Sequence, residues 1–97
     1  MGKKIRSRDE FRTNNAKKEK HPAYIFAQIG DDYRFVGITH ADITDGIKNI
    51  PLEKNPNPKD SRKAYMRPFS GRQNRGSFGS KKKGWRMSEK DKKKIPK

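Results

Sequence analysis

The sequence predicts an α+β fold: a small antiparallel sheet of three to four strands, a basic N-terminal arm and a short C-terminal helix. Three observations carry this. Between Pro22 and Thr39 β-branched and aromatic residues are dense enough to start a core. From Ser61 to Arg67, Ala64 and Met66 alternate with Lys63, Tyr65 and Arg67 at the two-residue period of a strand. Ser88 is followed by Glu89 and Asp91, the cap and first-turn carboxylates of a helix start.

The chain divides into a basic arm over residues 1–20, a β core over 21–69, a Gly-, Arg- and Lys-rich linker over 70–84, and a Trp-anchored helix over 85–97. The arm has only Ile5, Phe11 and Ala16 as apolar residues, too few for the face of a core helix. It reads as solvated or disordered, with a short helix where Ser7 and Glu10 form a capping box. Tyr24 to Ile29 and Tyr33 to Thr39 read as a hairpin, because Gly30-Asp31-Asp32 supplies turn residues that tolerate positive φ. An antiparallel register through that turn sets Tyr24 opposite residue 38 or 39. Tyr24 and Phe26 fall on one face and Ile25 and Ile29 on the other, as do Val36 and Ile38 against Phe35. A strand apolar on both sides is covered on both. Gly37 marks a bulge or a close backbone approach.

Residues 41–49 read as a loop whose Asp45-Gly46 pair is turn chemistry, without the fuller oxygen-ligand pattern of a metal loop. Ile47 to Leu52 alternates loosely as a third strand that Pro51 ends or confines to an edge. Lys54-Asn55-Pro56-Asn57-Pro58-Lys59-Asp60 is a stiff connector, since each proline biases the residue before it towards extended backbone. Its Lys54, Asn55, Asn57 and Lys59 are candidates to present fixed ammonium and amide donors to phosphates or bases. Beyond Pro68, Phe69 continues the outward row of the fourth strand. Residues 70–84 place four glycines among Arg72, Arg75, Lys81, Lys82 and Lys83, a flexible basic segment. Trp85 and Met87 are expected to dock on the sheet, with Ile95 extending the contact.

Charge points to the partner. The 97 residues carry 26 Lys and Arg against 11 Asp and Glu, a net +15 with a pI near 10.3. Residues 1–20 hold +5, residues 21–53 hold −3 and residues 54–97 hold +13, so the core is mildly acidic and its flanks bind polyanions. Lys63, Tyr65, Arg67 and Phe69, with Arg62 beside them, join cations for phosphate to rings for unpaired bases. RNA is the expected partner; duplex DNA ranks lower because no helix-turn-helix or finger pattern appears. An acidic protein or a ribonucleoprotein is a further class of partner. The absence of cysteine excludes disulfides and thiolate metal sites, no cofactor is expected, and no apolar run reaches membrane-spanning length, so a cytoplasmic protein is expected.

His21 and His40 bracket the hairpin and fall near one open end of it. Two histidines supply a general acid and a general base near neutral pH, which is what metal-independent RNA cleavage by a 2′-hydroxyl requires. These two are the candidate catalytic residues.

His-Pro-Ala-Tyr-Ile-Phe, Gly-Ile-Thr-His, Pro-Leu-Glu-Lys-Asn-Pro-Asn-Pro and Ala-Tyr-Met-Arg-Pro, all between His21 and Pro68, resemble small basic proteins of bacterial phages and integrative elements. More distantly, the chain resembles the barnase, colicin and RelE group of small nucleases. That likeness implies a ribonuclease of the toxin type, its roles falling to His21, His40, Lys54, Arg62, Tyr65 and Arg67, although no Glu stands in an obvious general-base place. The readings therefore run from an RNA-binding module, through a ribonuclease, to a mobile-element protein that grips an acidic protein surface.

Overall fold

The computed structural model describes residues 4–16 and 20–96; the remainder of the expected arm, residues 1–3 and 17–19, and Lys97 lie outside the described residues. The chain is mostly β, with 51% strand and 8% helix, so the expected α+β class is overturned. Its strands are β1 (Ile5–Asn14), β2 (Pro22–Ile29), β3 (Asp32–Thr39), β4 (Ile43–Thr44), β5 (Ile47–Lys48), β6 (Ile50–Pro51), β7 (Tyr65–Asn74) and β8 (Phe78–Lys81). A six-stranded antiparallel sheet runs β6-β7-β3-β2-β1-β8, and β4 and β5 form a separate hairpin.

The expected arm is β1, a central strand between β2 and β8, and Ser7 caps no helix. One well-placed aromatic suffices there: Phe11 is almost fully buried against Tyr24, while Arg8 and Arg12 both pair with the buried Glu10 on the strand. The turn between β2 and β3 forms at Gly30, whose φ is +59°, yet it is tighter than expected, with Ile29 paired to Asp32. A further break at Phe26 shifts the register again, so Tyr24 faces Val36 rather than residue 38 or 39. The fourth strand expected over 61–67 lies at 65–74. The expected flexible linker is the second half of β7, a 3-10 turn (Arg75–Ser77) and β8. Of its glycines, Gly71 and Gly79 lie in strands with neighbours close to where a Cβ would stand, Gly76 lies in the 3-10 turn, and Gly84 in an open turn at φ +83°.

β7 and β8 flank the β3-β2-β1 ribbon on opposite sides, yet only three residues separate them. Arg75 N–H donates to the Asp31 carbonyl at the β2–β3 turn, and Asn15 N–H donates to the Ser77 carbonyl at the end of β1, each at 2.8 Å. Three residues span that gap only if the sheet coils until its ends approach. The ring of Phe78 on β8 confirms the coil by lying 5.2 Å from that of Phe35 on β3, where three flat strand spacings would impose roughly 14 Å. Register breaks in β1 after Ser7, in β2 at Phe26 and opposite Gly37 supply the bend. Pro68, which has no donor for a ladder, sits in the last of these.

Two cores follow, one on each face, as the two-sided hairpin requires. Phe11, Tyr24, Val36, Ile38, Leu52 and Met66 form the larger, covered by Met87, Trp85 and Ile95 of the C-terminal segment. Ala23, Ile25, Tyr33, Phe35 and Phe78 form the smaller, inside the coil. The C-terminal helix is shorter than expected, a single turn α1 (Glu89–Lys92). Ser88 caps it as the sequence indicates, and the buried Asp91 carboxylate accepts the Glu53 N–H at 2.9 Å and the Lys94 ammonium at 3.0 Å. No helix among the described residues is long and apolar enough to cross a membrane.

Candidate nucleic-acid interface

Beside the inner core, where β1 ends and β2 begins, the sheet leaves a groove of about 620 Å³. Phe35 lies against Gly71 of β7, where even a Cβ would come within 2.7 Å of the ring, so a glycine is what lets the aromatic lie flat across the strand. Gly37 similarly gives room to the stem of Arg67, whose Cγ would be 3.1 Å from a Cβ there.

Arg67 and Phe69 stand on the β7 side of the groove. The Arg67 guanidinium donates from Nη1 to Asn49 Oδ1 at 2.7 Å and lies 5.4 Å from the centre of the Phe69 ring. Phe69 is nevertheless 52% exposed, so one aromatic is fixed by a cation and still open to a ligand. Asn49 is buried beneath this pair. Its amide nitrogen donates to the Ala41 carbonyl at 3.0 Å and to Thr44 Oγ1 at 2.8 Å, so a single side chain anchors both the β4–β5 hairpin and the arginine. That hairpin contributes Thr44 and Asp45 to the groove, Asp45 being held at φ +51° by its turn.

Asn14, at the end of β1, is 3% exposed and also lines the groove. Its Oδ1 accepts the Ala16 N–H at 3.1 Å, which fixes which end of the amide is the nitrogen. That NH₂ group makes no hydrogen bond to another described residue, and it is not one of the buried polar atoms left without a partner, which are Arg8 Nε and Gln73 Oε1. It is therefore reachable by solvent, on a residue that lines the groove.

The two histidines take different places. His21 lines the groove, whereas His40 does not and sits 3.1 Å from Asp60 Oδ2. Arg62 binds the same Asp60 at 2.8 Å; the donors of Arg62, together with His40, hold that carboxyl well below the usual carboxylate range. Asn55 and Asn57 are occupied in their loop, where their Oδ1 atoms accept the N–H of Asn57 and of Lys59, and Asn55 also donates to the Arg62 carbonyl. Arg72 is paired with Asp32 at 2.9 Å. Lys82 lies over the Trp85 ring, and Trp85 itself packs on Phe11, as expected of a structural anchor. Lys54, Lys59, Lys63, Arg75, Lys81 and Lys83 make no ion pair with a described carboxylate. Along β7 and the two residues before it the alternation is as read: Ala64 and Met66 are buried, Lys63 and Phe69 exposed, Tyr65 and Arg67 half-buried.

Sequence reasoning missed Asn14 and Asn49. Asn14 followed by Asn15 carried a turn signal, while nothing local distinguishes Asn49 from a polar residue in a loop. Among the described residues no three His, Asp or Glu side chains gather as a metal site would need. Comparison with protein-family models, curated proteins and solved structures finds no match, and neither resemblance stated above is tested by it.

Proposed function

We propose that this chain is a small RNA-binding module that engages single-stranded or looped RNA through the β7 face and the neighbouring groove. The observation that carries the reading is Phe69: an aromatic ring half open to solvent, with a guanidinium fixed over it, on a chain of net charge +15. Ring and cation together are what an unpaired base and its phosphate require, since stacking is available only where bases are not already stacked in a duplex. The lysines and arginines that lack a carboxylate partner supply sequence-independent attraction along the backbone. Among the described residues a duplex-reading helix has no counterpart, because α1 is a single turn.

The test is fluorescence anisotropy of a labelled single-stranded RNA against salt. Neutralising about six phosphates gives a slope of log affinity on log salt of about −4. Binding that is indifferent to salt, or absent at low salt, rejects the proposal; a complex with a protein that survives nuclease treatment favours the acidic-protein reading instead. For the ribonuclease reading, His21 in the groove is the one supporting observation, and its partner in the two-histidine scheme, His40, is engaged by Asp60 outside the groove lining. Intact RNA after incubation with the protein in chelator counts against it.

A further inference from the structure

We infer that the groove beside Phe69 is a site for one unpaired base, whose face stacks on the Phe69 ring, whose edge accepts hydrogen bonds from the Asn14 amide, and whose phosphate meets Arg67. This rests on the RNA-binding reading and goes beyond it by assigning a place and a ligand: polyanion attraction alone needs neither ring nor amide.

Three independent features converge there. The groove, about 620 Å³, falls within the span of roughly 300–1,000 Å³ that holds a small ligand of nucleotide size. Asn14, which lines the groove, is nine-tenths buried or more, its oxygen is spent on Ala16, and its NH₂ is reachable by solvent without a described partner. A donor that is neither sealed from solvent nor spent on the protein is met by water, which a ligand acceptor displaces. Base edges present carbonyl and ring-nitrogen acceptors of that kind; phosphate is better met by the charge-assisted donors of Arg67, which lines the same groove. Arg67 is preorganised by Asn49, so little ordering cost falls on binding.

The experiment compares a short oligouridylate with a ribose-phosphate oligomer of equal length and charge that lacks bases. The expected result is a roughly five- to hundredfold preference for the base-bearing strand. Phe69→Leu, which keeps apolar bulk without a ring, brings that preference close to unity with an unchanged salt slope. Asn14→Asp keeps the acceptor for Ala16 while deleting the donor, and also lowers the preference; urea midpoints establish that both variants are folded. Equal affinity of the unaltered protein for the two strands overturns the base site and leaves polyanion binding standing. Retention of the full preference by Phe69→Leu overturns it too. Binding of neither strand at low salt overturns the RNA-binding reading itself.

Discussion

Asn49 shows how much one buried side chain settles. It donates to Ala41 and to Thr44 of β4 and accepts from Arg67, so its truncation leaves two acceptors and a guanidinium donor without their partner beside the cavity it vacates. Asn49→Ala is expected to cost about 2–3 kcal/mol in urea denaturation and, under the proposed RNA-binding function, to weaken RNA binding beyond that, since Arg67 loses its orientation. Arg67→Lys is not equivalent, because an ammonium cannot hold Asn49 and still lie over the Phe69 ring as a planar group does. Other residues that looked like ligands are occupied at this same scale. Asn55 and Asn57 close Asx turns, and Arg62 and His40 share Asp60.

Among the elements, β1 departs furthest from expectation. A helix needs an apolar stripe, and the arm has none; a strand between two neighbours needs only alternate positions, and Phe11 with a buried Glu10 clamped by Arg8 and Arg12 fills them. β7 depends on Gly71 in a different way. Gly71→Ala is expected to destabilise the fold by about 1–3 kcal/mol, because the Phe35 ring already occupies the methyl's position; thermal unfolding checks this. The C-terminal segment is an element by virtue of docking, its single helical turn held down by Asp91 and its Trp85, Met87 and Ile95 closing the larger core. Truncation after Gly84 exposes that core, and the expected outcome is dye binding to apolar surface together with a broadened, early unfolding transition.

For the whole molecule, charge sets the response to pH. Burial alone would raise the pKa of Glu10 and Asp91, but hydrogen bonds from Arg12 and Arg8 to the first, and from Glu53, Lys94, Ser88 and Lys54 to the second, outweigh it and hold both below the ordinary carboxylate value. A depressed folded pKa stabilises above the unfolded value and ceases to do so as protons bind. The melting temperature should therefore hold near neutrality and fall from about pH 5 downward, through the lowered folded values. Loss of these carboxylates also removes the few negative charges that temper a net +15, which steepens the fall. Glu10→Gln should flatten the acid limb while lowering stability at pH 7, and a pH series of melting curves tests both.

Hairpin β2–β3, the burial alternation on β7, the Ser88 cap and the cationic flanks were legible because each rests on neighbours in sequence: a turn dipeptide, a period, a side chain within reach of its own backbone. The rest depends on residues far apart. That β1 is a strand follows from β2 and β8 lying on either side of it, and that residues 70–84 are ordered follows from Phe78 meeting Tyr33 and Phe35 across the coil. The groove exists for the same reason, since Asn14, Phe35 and Arg67 line it together only once the sheet has bent. Composition by itself determined the net charge of +15, on which the proposal of a polyanionic partner rests, because net charge needs no geometry; the groove proposed to hold that partner was decided by the coil of the sheet, because a binding site is a set of distances.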